Sequence, residues 1–222
     1  MIINQNPCAL CYFFVMNLPN QIRTIDEFKE SILTEKKSTF IAHVYSVDSK
    51  DEVSEYLSET KKKYYDASHH CFAYKLPDGS TRYSDAGEPS GTAGVRILNA
   101  IEHFELMKQL VIVIRFFGGI KLGVGPLGKA YYYAAHQVLN ESKIITKRLY
   151  QKVIISSDFD QINITQQILS KHKSIILKTE YNDNAKLTCL VKSIEIDVIS
   201  KKLIELSKNK IFFRALQEFV YK

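Results

Sequence analysis

The sequence predicts an α+β protein built in two parts that differ in composition. All nine glycines lie between Gly79 and Gly128, and the final 94 residues contain neither glycine nor proline. Hydrophobic residues make up 45% of the 222-residue chain, which is enough to bury one large core or two small ones. Because glycine permits positive φ and close approach of the backbone, we expect functional loops in the middle and a compact scaffold after them.

The first half begins with a strand-then-helix pattern. Residues 38–47 are rich in β-forming side chains, and Ser49 with Glu52 forms a capping box that opens a helix. Residues 71–76 and 81–84 flank a Pro-Asp-Gly-Ser sequence, which predicts a hairpin turn.

Two further helices and a buried strand follow in the first half. A helix is expected to begin near residues 91–92, and residues 110–117 are apolar enough for a buried strand. Pro126 suits the first turn of the next helix, because proline lacks the N–H that would be unpaired there. The apolar side chains of this helix recur at helical spacing and are expected to face the core: Leu127, Ala130, Tyr131, Ala134 and Val138.

The second half reads as strand, helix, strand, strand, helix, strand. Its predicted segments are residues 151–156, 159–171, 174–181 and 186–193, a helix that starts near Ile196, and residues 211–220. This order is that of a ferredoxin-like βαββαβ domain. We therefore expect an extension over residues 1–20, an N-terminal domain over 21–145 and a ferredoxin-like domain over 149–222.

Charge and cysteine content narrow the class of protein. The formal net charge of +6 is compatible with an RNA or ribosome surface. Cys8 and Cys11 have the spacing of half a zinc site, but no second pair completes a tetrahedron, so we predict reduced cysteines and no metal or cofactor. The apolar run over residues 9–16 is too short for a membrane span and lacks a basic flank, which favours a cytoplasmic protein.

The first glycine loop covers residues 84–94 and directly precedes a predicted helix. Unpaired N–H groups at the start of that helix, with the hydroxyls of Ser90 and Thr92, would suit a phosphate group. Alternatively, Ser90 or Thr92 caps the helix while Gly91 permits a tight turn. The residues themselves leave both interpretations open.

The second glycine loop, residues 115–129, combines glycines with cations and aromatic side chains. Its G-x-G-x-x-G starts six residues after the strand and lacks the acidic partner of a dinucleotide site, and Ala130 replaces the Ser or Thr of a P-loop. A groove that binds single-stranded RNA remains, with the strand and helix periodicity placing some of the aromatics in the core. The predicted phosphate- or RNA-binding residues are Arg82, Ser90, Gly91, Thr92, Arg115, Gly118, Gly119, Lys121, Gly123 and Lys129.

Three titratable residues offer an enzymatic alternative. His70, Asp85 and Glu88 would serve as acid and base groups if the fold brought them together. Successive side chains of a strand point to opposite faces, so only one of His69 and His70 shares a face with Cys71. A structural histidine is the simpler interpretation of this pair.

Three motifs in these loops resemble those of the IMPACT family, which includes bacterial two-domain proteins and a eukaryotic translation regulator. They are SDAGEPSGTAG at residues 84–94, RFFGGIKLG at 115–123 and GPLGKAY at 125–131, and the resemblance spans about residues 36–139. It implies an N-terminal domain with the fold of some ribosomal proteins and elongation factor G, and a role in or near translation. The chain departs from the family pattern at Ala86, Arg96, Pro126 and Lys129.

These observations together predict a non-enzymatic RNA- or ribosome-associated protein that acts in or regulates translation. The alternative is an enzyme that acts on a phosphate-bearing small molecule or nucleotide. A third possibility is a protein-docking surface, which would tolerate loss of Lys121 but not of its exposed aromatic side chains. No membrane partner is expected, and the oligomeric state is left open.

Overall fold

The computed structural model describes residues 18–208 and 210–222. Cys8, Cys11, the apolar run 9–16 and most of the predicted extension lie outside these residues. The described chain forms two compact units. One is Ile22–Thr146, and the other combines residues 18–21 with Lys147–Lys222.

The first unit contains a five-stranded antiparallel sheet. Its strands are β2 (Lys29–Glu35), β3 (Ser38–Ser46), β4 (His69–Lys75), β5 (Thr81–Ser84) and β6 (Gln109–Phe116). The short strand β1 (Gln21–Thr24) precedes them in the chain and is not part of this sheet. The sheet order is β2-β3-β6-β4-β5. The predicted hairpin of β4 and β5 is confirmed, with Tyr74 opposite Arg82.

Helices cover both faces of this sheet. They are α1 (Lys50–Lys63), α2 (Gly94–His103) and α3 (Val124–Asn140). Val53 of α1 lies beside one apolar cluster, which includes Ile112 and Ile114 of β6, whereas α2 and α3 pack on Val111 and Val113. The five apolar side chains predicted to face inward from α3 are all buried. Residues on both faces of β6 are therefore enclosed.

The start of α1 follows the predicted capping pattern. The Ser49 hydroxyl accepts a hydrogen bond from the Glu52 N–H at 3.2 Å, and the Glu52 carboxylate accepts one from the Asp48 N–H at 2.8 Å. Donors that α-helix geometry leaves unpaired are thus satisfied by side chains.

Strand β2 was not predicted from the sequence. It forms a hairpin with β3 through Lys36 and Lys37, whose φ angles are 44° and 67°. Such turns normally contain Gly, Asn or Asp, so two lysines give no turn signal.

The second unit confirms the predicted order of elements. It comprises β7 (Ile145–Ser157), α4 (Ile162–Lys171), β8 (Ile175–Tyr181), β9 (Ala185–Lys192), α5 (Ile196–Leu206) and β10 (Phe212–Tyr221). These four strands pair antiparallel in the order β8-β9-β7-β10. Leu187 and Cys189 of β9 pack with Leu169 of α4 and Leu203 of α5 in one core. With two antiparallel sheets and separate helices, the described chain is an α+β protein, as predicted.

Among the described helices, none combines the length and apolar character that a transmembrane segment requires.

Candidate functional site

Asp85 closes the first glycine loop from within. Its carboxylate accepts hydrogen bonds from the backbone N–H groups of Gly91, Ala93 and Gly94 at 2.8 to 2.9 Å. Burial alone would raise the pKa of Asp85, but these three donors outweigh it and lower the pKa below the usual value. The start of α2 is therefore occupied by a carboxylate of the same chain.

This arrangement changes the interpretation of the predicted phosphate cradle. The Gly91 N–H is bound to Asp85, and buried Thr92 donates both its N–H and its hydroxyl to the Pro89 carbonyl. Only Ser90 of the three predicted residues presents an exposed side chain. Helix α2 begins at Gly94, later than predicted, because residues 91–93 form the turn that wraps Asp85.

Glu88 lies at the centre of a buried polar cluster beneath the two loops. Its carboxylate accepts hydrogen bonds from Arg115 Nη1 at 2.6 Å and from the Tyr131 hydroxyl at 2.7 Å. The Arg115 guanidinium also lies 5.5 Å from the ring centroids of Phe40 and Phe117. Removing either partner of such a buried ion pair would leave an unpaired charge in the core, which is strongly destabilising.

Arg115 is consequently not a cation of an exposed groove, which corrects the sequence-based assignment. Arg115 is only 5% exposed, and the Glu88 carboxylate neutralises its charge. Strand β6 is enclosed on both faces, so its penultimate residue enters the core whichever way it points. The continuous apolar run before Arg115, typical of a strand buried on both faces, is the signal in the sequence that could have identified it as an internal residue.

The proposed catalytic set of His70, Asp85 and Glu88 is not brought together. His70 Nε2 bonds to the Tyr64 carbonyl at 3.0 Å, and burial lowers the pKa of this histidine. His69 lies on the other face of β4, with Nδ1 3.0 Å from the Ala86 carbonyl and Nε2 3.8 Å from Glu88. Asp85 is bound by donors of its own loop and Glu88 by Arg115 and Tyr131, so the hydrogen bonds of these carboxylates lead away from His70.

Cys71 shares the face of His69 and is fully buried, whereas His69 is half-buried. Its thiol donates to the Asp85 carbonyl at 2.9 Å and lies 3.4 Å from the Tyr131 hydroxyl. Burial raises the pKa of Cys71 to about 12. Burial also raises the pKa of Tyr131, so the thiol and the phenol both stay protonated near neutral pH.

The second glycine loop separates into a packed part and an exposed part. A Cβ at Gly118 would overlap the backbone carbonyl of Lys37, and the Gly118 N–H donates to the Ser38 hydroxyl at 3.2 Å. Gly119 and Gly123 are exposed and have φ of 82° and 87°, in the region that favours glycine. Gly118 is thus a packing residue, whereas the loop beyond it reaches solvent.

The predicted cations Lys121, Lys129 and Arg82 are exposed. Lys121 precedes α3 and Lys129 lies in its second turn, while Arg82 is on edge strand β5. Within the described residues none of the three forms an ion pair with a carboxylate. The α3 N-terminus next to Lys121 has no side-chain cap, so this end of the helix is electropositive.

Arg96 is a cation of this region that the sequence analysis did not select. A Cβ at Gly128 would lie 3.3 Å from Arg96 Nε, so the arginine side chain rests on the first turns of α3, next to Lys129. No carboxylate of the described residues pairs with it. The spacing of Arg96, Asn99 and His103 on one helical face is the signal that would have identified an exposed polar stripe.

The geometry defines the class of protein. It is an α+β protein in which buried polar contacts hold two glycine loops beside an exposed, cationic edge of a helix. The Impact N-terminal domain family model matches residues 36–139. The chain is 30% identical over 189 residues to IMPACT family member YvyE of Bacillus subtilis, covering 84% of this chain and 87% of that one. This protein belongs to the IMPACT family.

Two further similarities extend over different shares of the chain. Protein IMPACT of Oryctolagus cuniculus is 32% identical over 115 residues, which cover 49% of this chain and 36% of the rabbit protein. A crystal structure titled as a hypothetical protein matches with a TM-score of 0.67 and 25% identity over 90% of this chain and all of that one. The overall fold is therefore shared with a solved structure, and the similarity to the eukaryotic protein covers only half of the chain.

Proposed function

We propose that this protein is a non-enzymatic factor that binds RNA or the ribosome in the cytoplasm and acts in or regulates translation. The observation that carries the proposal is a set of three exposed cations around the start of α3, namely Lys121, Lys129 and Arg96, which reaches Gly128 from α2. None of these three cations forms an ion pair with a carboxylate of the described residues. Phosphate groups are the anions that such cations bind on RNA. Membership of the family that includes Protein IMPACT supports a role in translation.

The proposed binding surface differs from a phosphate cradle in the first loop. Asp85 and Glu88 accept the hydrogen bonds that donors in and beneath that loop could offer to a phosphate group. The loop then contributes Ser90 at most, and exposed side chains of neighbouring segments make the other contacts with phosphate. Exposed lysines and arginines bind a phosphate backbone without sequence preference. We accordingly retain Lys121 and Lys129 from the sequence-based set, add Arg96, and remove Arg115.

In our proposal, the two units correspond to two domains. We assign the N-terminal domain to residues 21–145, with the fold of some ribosomal proteins and elongation factor G, and the C-terminal domain to residues 149–222. The strand order β8-β9-β7-β10 supports a ferredoxin-like fold for the C-terminal domain. A protein partner in translation control fits the same surface.

Sedimentation with ribosomes tests the proposal. The full chain is expected to co-sediment with ribosomes at low salt and to dissociate at high salt, because phosphate contacts weaken as counterions compete. Lys121→Ala should flatten the dependence of log affinity on log salt by about one unit of slope. Lys62→Ala, an exposed lysine on α1, is the matched control and should match the wild type. Absence of any association even at low salt contradicts the proposal.

A further inference from the structure

We propose that single-stranded RNA lies across the paired solvent faces of α2 and α3, an inference that rests on the proposed function and places its binding surface. This two-helix face is formed by six side chains: Arg96, Asn99 and His103 of α2, and Lys129, Tyr133 and His136 of α3. It differs from the glycine-loop groove that the sequence predicts. Five of its six members lie outside the two loops: Arg96, Asn99, His103, Tyr133 and His136.

The two helices run side by side in the same direction. At one end Arg96 rests on Gly128, and at the other the ring centroids of His103 and His136 are 5.4 Å apart. His103 is seven positions after Arg96 on α2, which corresponds to a rise of about 10 Å along the helix axis. The face is therefore a continuous surface with two chemically distinct ends.

The end near the helix N-termini is cationic. Arg96 and Lys129 are exposed there, and the start of α3 adds its uncapped partial positive charge. The exposed carboxylate of Glu102 lies at the other end of α2, and Glu105 beyond it is paired with Arg23 at 3.2 Å. Charge complementarity places the phosphates of a bound strand at the Arg96 end.

The opposite end is aromatic. The ring centroid of His136 lies 4.9 Å from that of Phe104 and 5.7 Å from that of Tyr132. The neighbouring Tyr133 is 56% exposed. Flat rings at a surface are the platforms on which unpaired bases stack, whereas a duplex keeps its bases stacked on each other. The combination of a clustered, partly exposed set of aromatic rings with cations about 10 Å away favours a single strand as the occupant.

The other helical layer of this unit mixes its cations with exposed carboxylates. Helix α1 exposes Asp51, Glu55 and Glu59 along with its lysines. Its Lys63 ammonium lies 4.0 Å from Glu30 and over the Tyr64 ring, so it is engaged within the unit. An anionic ligand is expected to avoid α1 and to prefer the two-helix face.

Matched substitutions on the two layers separate the alternatives. Affinity of the full chain for a fluorescent oligouridylate of about 12 nucleotides is measured by anisotropy over a series of salt concentrations. Arg96→Ala should reduce the salt slope by about one unit, and Tyr133→Ala should weaken binding at least fivefold. The matched controls on α1, Lys62→Ala and the 84% exposed Tyr65→Ala, should bind like the wild type.

The outcomes distinguish this inference from the function on which it rests. Selective weakening by Arg96→Ala and Tyr133→Ala supports the two-helix face. If the wild type binds the oligouridylate or ribosomes but both variants bind equally well, the face is wrong and the proposed function stands. If the wild type binds neither the oligouridylate nor ribosomes at low salt, both proposals are overturned. Circular dichroism of each variant confirms that these exposed substitutions leave the fold intact.

Discussion

At the scale of single residues, the acidic side chains of the first glycine loop hold the loop in place. Asp85 binds three backbone N–H groups and Glu88 binds Arg115 and Tyr131. Each of these carboxylates satisfies donors that would otherwise be unpaired at a helix start or in a core. The run of small and acidic residues therefore builds a rigid turn, and the side chains left for a ligand are its neighbours.

Asp85 makes stability depend on pH in a direction that can be stated. Its folded pKa is lowered, so its contribution is fully present above the unfolded value near 3.9 and is lost as pH falls through the folded pKa. Asp85→Asn should cost about 1 to 2 kcal/mol at pH 7, because its amide replaces one accepting oxygen with a donor and leaves a backbone N–H unpaired. It should also reduce the fall in unfolding free energy below pH 4. Urea denaturation from pH 7 to pH 3 measures both effects.

The control for this prediction is Asp66→Asn, because Asp66 is an exposed aspartate after α1. This variant should follow the wild-type curve at every pH. Equal stability of Asp85→Asn and wild type at pH 7 would mean that the carboxylate does not hold the start of α2.

At the scale of elements, the end of β6 is fixed by its close approach to the β2–β3 turn. A side chain at Gly118 would overlap the Lys37 carbonyl and would lie 2.6 Å from the Ser38 N–H nitrogen. The loop that carries Lys121 leaves the sheet from this contact. A packing contact between backbones thus sets where the exposed part of the second glycine loop begins.

Two glycine-to-alanine substitutions in the same loop region test that contact. Gly118→Ala should destabilise the protein by about 3 kcal/mol, because the added methyl group must displace backbone. Gly125→Ala places its methyl group in open space at the start of α3 and should be neutral or stabilising by about 0.5 kcal/mol. Chemical denaturation of both variants gives the comparison. Similar stabilities for the two variants would refute the close approach.

The sequence predicted most elements because their signals are local. The capping box at Ser49, the turn before Thr81 and the apolar spacing of α3 each specify structure within a few residues. The β2–β3 hairpin escaped prediction because Lys36 and Lys37 adopt positive φ without the residues that usually do so.

The candidate site was less predictable because it depends on contacts between distant segments. Arg115 and Glu88 are 27 positions apart, and no local pattern indicates that they pair. Arg96 and Gly128 meet only because α2 and α3 pack side by side. Residue type alone therefore assigned Arg115 to an exposed groove and overlooked Arg96.

At the scale of the whole molecule, the first unit keeps its structural polar contacts apart from its exposed cationic and aromatic side chains. In the first unit the polar contacts that fasten the glycine loops are buried, while unpaired cations and aromatic rings remain on the solvent side of α2 and α3. The chain shares its fold with a solved structure over 90% of its length. In our proposal, this arrangement lets a rigid α+β scaffold present one helical surface to RNA.

Crosslinking of the full chain to ribosomes or to single-stranded RNA, followed by mass spectrometry of the crosslinked peptides, tests this claim most directly. We expect crosslinks in α2, in residues 117–123 and in α3. Peptides of α1, which carry exposed lysines on the other layer, should remain free of crosslinks. Crosslinks confined to α1 or to Lys147–Lys222 would contradict the account.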